Sequence, residues 1–248
     1  VDGEFTQPKS ETSLDHVPFL QACVALAVWQ GDDVPTAASR LIVSHRIPRE
    51  AIPTHLLNSP EVWAALLDDM PMTAMIRNLG KMSSVGLIGS GLESTQYTRM
   101  VTDRLGDMDR LRKARVHPIA LLAALKVYEQ GHGEKGRLTW NPSKRIVNAL
   151  DEAFYLSFGT VEPTRKQLRL ALDVSSSMDG TSVSGMPFLT AREASAAMAL
   201  VTAAVEPDAH FVAYSHKLVD VTIRPSMRLD EVCRMLRAIP FGRTYCSL

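Results

Sequence analysis

The sequence predicts a mainly α-helical protein that ends in an α/β region, and three observations predict it. Helix-start and helix-stop residues recur throughout residues 1–160. Apolar residues there return every three or four positions, the helical period. After TVEPTRKQ the pattern changes, and short apolar runs alternate with helical ones.

The elements follow in order. SLDHVPFLQACVALAVWQG opens with Ser13 as a cap and stops at Gly31. SPEVWAALLDDM has Ser59 as N-cap and Pro60 at the first helical position, where a missing N–H costs nothing. MPMTAMIRNLGKM starts at Pro71, and HPIALLAALKVYEQG runs from Pro118 to Gly131. NPSKRIVNALDEAFYLSFG repeats the device with Asn141, Pro142 and Gly159. Connections are short and no strand pattern interrupts. This is the grammar of antiparallel helices in an α-solenoid, although no strict repeat is visible. Then LRLALDV reads as a strand, TAREASAAMALVTAAV as a helix, and HFVAYS and KLVDVTI as strands around a turn at Ser215–His216. RLDEVCRMLRAI closes as a helix. That order is the first half of an α/β domain, with a boundary near 160–167, giving parts 1–163 and 164–248.

The chain of 248 residues is 46% apolar and carries no formal net charge, so no global pull toward nucleic acid or anionic membrane exists. No apolar run reaches transmembrane length, and no membrane partner is expected. Three cysteines without CxxC spacing point to reduced thiols in a cytoplasmic protein. The chain opens without methionine, on VDGEFTQPKS, and is expected to be a fragment.

Charge is nonetheless uneven. Residues 1–33 hold six acids and one base; Val34 to Arg49 holds Arg40, Arg46 and Arg49 with no acid. Arg77 and Lys81 sit one helical turn apart in another acid-free stretch. Arg110 to Lys126 contains five bases and no acid. Each cluster alone reads as a solvated helix face. Together on a helical array they could form an RNA surface without high overall charge.

LALDVSSSMDG places Asp173 at the end of a strand, with Ser175 and Ser177 alternating after it. Ligands of open α/β sheets bind beyond the carboxyl ends of strands. One carboxylate and two hydroxyls are hard donors suited to Mg²⁺ or another hard divalent cation. A serine-rich turn capped by Asp173 is the plainer alternative. D-x-S-x-S resembles the first loop of the metal-ion-dependent adhesion site of von Willebrand A domains. In that resemblance the serines bind metal directly, the aspartate acts through water, and a second loop adds a threonine, matched by Thr244 in FGRTYCSL. A third loop, which would add a carboxylate, does not occur in the sequence. Other motifs are weaker: GLIGSGLES has no strand before it and no lysine after, the seven histidines lack paired-ligand spacing, and no GxSxG surrounds a serine.

HLLNSPEVWAALLDDMPMTAMIRNLGKM, RKARVHPIALLAALKVYEQGHGEKGRLTW, LDEAFYLSFGTVEPT and LALDVSSSM, in that order, resemble the Ro autoantigen (TROVE-domain) family from about His45 onward. The resemblance implies a HEAT-like α-helical repeat array followed by an incomplete, Rossmann-like α/β von Willebrand A domain. It implies binding of small noncoding Y RNAs, and of misfolded RNA with a single-stranded end, with an exoribonuclease as a possible partner. No catalytic activity is expected. The region it marks for RNA contains His45, Arg46, Arg49, Arg77, Lys81, Arg112, Lys113 and Arg115; Asp173, Ser175, Ser177 and Thr244 are the metal set. Two departures weaken the metal site. Arg243 and Tyr245 replace a glycine and an aspartate beside Thr244, so Mg²⁺ is expected to bind weakly or not at all. The missing later strands leave LRLALDV with an open edge, so the C-terminal part is expected to yield first to protease, near TVEPTRKQ, while the chain is otherwise expected to be monomeric. The competing reading is a protein-interaction scaffold acting through the adhesion site. A nuclease lacks support, because Asp68 and Asp69 are adjacent on a helix and diverge.

Overall fold

The computed structural model describes residues 18–28, 34–89, 91, 95–133, 137–214 and 217–240. Ser13, Gly31, Ser215 and His216 lie outside them. The helical part contains α1 (Pro18–Val28), α2 (Val34–His45), α3 (Pro60–Asp69), α4 (Met72–Ser84), α5 (Thr95–Leu105), α6 (Met108–Lys113), α7 (Pro118–Glu129) and α8 (Lys144–Leu156). Among the described residues no helix is long and apolar enough to cross a membrane.

Capping chemistry sets these bounds. Ser59 Oγ accepts the Val62 N–H, with Pro60 as first helical residue of α3. His117 Nδ1 does the same for the Ile119 N–H at α7. The start of α8 differs from the sequence expectation: its N-cap is Ser143, and Asn141 and Pro142 precede it. The reason is tertiary. Trp140 is pinned, its N–H on Gly131 O at 2.8 Å and its indole Nε1–H on Tyr128 O at 2.9 Å. A Cβ on Gly131, which has φ +75°, would lie 2.8 Å from Trp140 O and 3.3 Å from the Pro142 ring, so Pro142 is spent on this corner and the helix begins after it. Gly80 serves the same tryptophan: a Cβ there would stand 2.7 Å from its ring. Arg104 of α5 donates to the carbonyls of Leu67 and Asp68 at the end of α3; Leu67 O also accepts the Met70 N–H.

The α/β part begins with β1 (Leu168–Asp173), followed by the short α9 (Ser177–Gly180), β2 (Ser182–Val183), β3 (Met186–Thr190), α10 (Ala191–Val205), β4 (Ala209–Tyr214), β5 (Leu218–Val221) and α11 (Leu229–Arg237). β1 pairs in parallel with β4, and β4 pairs antiparallel with β5, so the sheet order is β1-β4-β5 and β1 lies at an edge among the described residues. The β2–β3 hairpin was not expected from the sequence. It turns at Ser184-Gly185, where Gly185 has φ +75°, a conformation natural to glycine. Thr190 and Glu193 form a reciprocal capping box at the start of α10.

One hydrophobic core runs through both parts, from Leu26, Trp63, Leu121 and Phe154 to Leu172, Leu200 and Leu236. α7 is its hinge pin, touching α4 and α8 on one side and β3 and α10 on the other. Polar contacts lock the junction. Lys126 Nζ lies 2.6 Å from Glu193 Oε1. Arg228 pairs with Asp151 and covers the Tyr155 ring at 3.9 Å, and the Leu229 N–H donates to Tyr155 Oη at 2.9 Å. Partial burial pushes the Glu193 carboxyl up, but Lys126 and the Thr190 cap outweigh it and hold its pKa below the usual value.

Candidate metal loop and basic crevice

The carboxyl end of β1 carries the hydroxyl loop. Asp173 Oδ1 accepts the Ser175 N–H at 2.7 Å, and this turn brings Ser175 Oγ within 2.9 Å of Ser177 Oγ. Ser175 is buried and Ser177 is exposed. Oxygens bound at about 2.1 Å on adjacent corners of an octahedron lie about 3 Å apart, so the two hydroxyls stand at the separation a Mg²⁺ ion requires. The donor set fits a hard cation. Arg243, Thr244 and Tyr245 lie outside the described residues. Among the described residues no cluster of three or more His, Cys, Asp or Glu could hold a metal.

The predicted basic residues fall into two places. Arg49, Arg77 and Lys81 line one crevice of about 710 Å³ between the helices and the β2–β3 hairpin. Lys126 and the amides of Asn58 and Asn78 line it as well, and no carboxylate does among the described residues. Arg77 and Lys81 share a face of α4, one turn apart; Lys81 Nζ is held by Asn58 Oδ1 at 2.8 Å. Arg49 stands 6.0 Å above the Trp63 ring, its Nε buried without a partner. The floor is apolar, with Ile76, Ala124, Leu138 and Phe188. In the sequence Lys126 stands out only as part of a charge run. Its place in the crevice depends on the hairpin packing against α7, which residue spacing does not reveal.

His45, Arg46, Arg112, Lys113 and Arg115 do not line this crevice. His45 ends α2, and Arg46 follows it, 3.6 Å from Asp69. Arg112 bonds to Gly159 O at 3.3 Å and lies 3.6 Å from Asp109, while Lys113 ends α6 and Arg115 is exposed.

Arg46 and Arg115 share an unexpected geometry. Both are left-handed, at φ 50° and 51°, just past a helix end: Arg46 follows His45, and Arg115 follows the C-cap Ala114. In each case the next N–H reaches back five residues: Ile47 to Ile42 O and Val116 to Leu111 O, both at 3.1 Å. Ile47 and Val116 are buried, so the paired fragments R-I-P and R-V-H-P are one helix-ending device used twice. Glycine is the natural occupant of that position, and an L-residue there is strained. Replacing Arg115 with glycine is expected to stabilise the chain by about 0.5–1 kcal/mol, the strain relieved less the extra chain entropy. Urea unfolding of R115G beside the unaltered chain measures it; a loss of stability would show that the arginine side chain contributes to the fold.

Two family models match. One, described as the TROVE domain, matches residues 24–126, and the other, the Ro60 vWA domain, matches residues 167–248. The chain belongs to the Ro (TROVE-domain) family. Its relatives include a Caenorhabditis elegans protein named RNA-binding protein RO60, 42% identical over 92% of this chain and 34% of that protein. A Deinococcus radiodurans protein of the same name is 38% identical over 85% of this chain and 39% of its own length. The crystal structure of the Ro (RSR) protein of Deinococcus radiodurans superposes with a TM-score of 0.84 at 34% identity, over 96% of this chain and 46% of that one. The chain thus spans between a third and a half of the length of these Ro proteins.

Proposed function

We propose that this chain binds structured noncoding RNA that carries a single-stranded end, without catalysing a reaction. The observation that carries this reading is the crevice: Arg49, Arg77 and Lys81 beside an apolar floor, with no lining carboxylate among the described residues. Cations attract phosphates, and an apolar floor suits an unpaired base, whose rings a duplex would keep stacked. Both named relatives are described as RNA-binding, which supports RNA over the scaffold alternative. Y-type and misfolded RNAs are the proposed ligands, an exoribonuclease the proposed partner, and a cytoplasmic monomer the proposed form. Asp173, Ser175 and Ser177, with Thr244, would hold Mg²⁺ weakly at best. A cation there would offer an acidic oxygen of a partner a coordination position.

Filter binding at rising salt tests the reading. A hairpin RNA with a single-stranded tail is expected to bind more tightly than the blunt hairpin. Reversing Arg112, Lys113 and Arg115 to glutamate is expected to lower affinity about tenfold or more and to flatten the salt slope by about 2–3. Equal affinity and slope would remove that surface from the RNA site; equal binding of tailed and blunt RNA would remove the preference for a free end.

A further inference from the structure

Beneath the hydroxyl loop lies a charged side chain that the D-x-S-x-S pattern does not include. Arg192, in the first turn of α10, is only 2% exposed. Its Nη2 donates to Ser175 O at 2.8 Å and more weakly to Val174 O at 3.3 Å. Its Nε lies 2.9 Å from Asp179 Oδ1. The same Asp179 oxygen accepts Arg237 Nε at 3.0 Å and Nη2 at 2.9 Å, from the end of α11. A buried arginine is costly unless paired; this one holds two loop carbonyls through Nη2 and forms an ion pair with Asp179, while Nη1 has no hydrogen-bond partner among the described residues. We propose that Arg192 is the positioning residue of the hydroxyl loop, and that Asp179 and Arg237 extend its grip to α11.

The geometry gives the reason. Drawing the carbonyls of Val174 and Ser175 inward turns the Ser175 N–H toward Asp173 and its hydroxyl toward Ser177. Without that anchor the carbonyls are free to rotate, and the two hydroxyls no longer converge. A guanidinium is suited to this, because Nη2 holds both carbonyls while Nε, on another edge of the same rigid plane, faces the carboxylate; a lysine has one nitrogen for all three. Asp179 offsets one of the two guanidinium charges that meet at its oxygen. Through Arg237 the first loop is tied to the helix that leads into FGRTYCSL, so the two are expected to move together.

The metal-binding half of this inference rests on the metal reading above; the loop-ordering half does not. The test therefore measures both on the full chain, by amide hydrogen exchange without metal and by Mn²⁺ broadening of amide signals. In the unaltered chain the Ser175 amide should be protected, and Mn²⁺ should broaden Ser175 and Ser177. Arg192→Lys is expected to speed Ser175 exchange about tenfold or more, the loss of a charge-assisted hydrogen bond, and to weaken the broadening, while Ala196–Leu200 of α10 stay protected. Unchanged Ser175 exchange in a folded R192K would overturn the proposal. If R192K does not fold, Asp179→Asn decides: this half-buried side chain keeps its size, and exchange should rise at both the loop and the last turn of α11. A rise at neither, or at only one, would overturn the coupling. Absent broadening in the unaltered chain, with Ser175 protection still dependent on Arg192, would end the metal reading and leave Arg192 as the organiser of the loop.

Discussion

Reversing Arg77 and Lys81 together to glutamate is expected to lower RNA affinity by about two orders of magnitude and to reduce the salt slope by about 2. Both side chains line the same crevice, one turn apart on α4. Lys126, on the opposite wall, is engaged with Glu193 at 2.6 Å and has little charge to spare. Among the described residues the Arg77 side chain bonds the carbonyl of its own helix, Thr73 O at 3.3 Å, and Lys81 Nζ a neutral amide, so neither charge is neutralised by these bonds. Substitution of both by glutamine should fall between, because it removes attraction without adding repulsion. The measurement is affinity of a tailed hairpin RNA at several salt concentrations. An unchanged slope in the double reversal would mean that phosphates do not enter the crevice.

The largest stability effect is expected at Trp63. Its side chain is fully buried in α3, and its indole Nε1–H donates to Leu57 O at 2.8 Å. Trp63→Ala removes the floor beneath Arg49 and leaves a cavity, at a cost of about 3–5 kcal/mol. Trp63→Phe keeps most of the ring but orphans the Leu57 carbonyl, a smaller loss of about 1–3 kcal/mol. Urea midpoints of the two variants should follow that order. Equal midpoints would show that the hydrogen bond, and not the buried volume, dominates at this position.

What was legible in the sequence was what lies close along the chain. Ser59-Pro60 marked a helix start because capping involves neighbours three residues apart, and Asp173-x-Ser175-x-Ser177 marked a loop because its three oxygens are contiguous. The array of helices and the α/β region that follows it were visible for the same reason. Asn141 and Pro142 misled because a distant pair, Tyr128 and Gly131, claims the corner before α8. The crevice was invisible as a whole: it joins Arg49, α4, α7 and a hairpin whose only local sign was Ser184-Gly185. Arg192 was hidden for another reason. In an alanine-rich helix it reads as a solvent-facing residue, and only the packing of α10 under the loop buries it.

The parallel pairing of β1 with β4 has a consequence in time. The helices meet mostly their chain neighbours, as α2 meets α3 and α7 meets α8, so their loops close at small entropic cost. β1 has no such neighbour: Leu168 must find Ala209, with the hairpin and all of α10 between them. Pairings distant in sequence are the slow ones. A chain emerging from the ribosome would therefore hold finished helices, with α7 already in place, while β1 waited for its partner strand. The preformed face of α7, presenting Lys126 for Glu193, is then a template on which α10 can settle and bring β4 alongside β1.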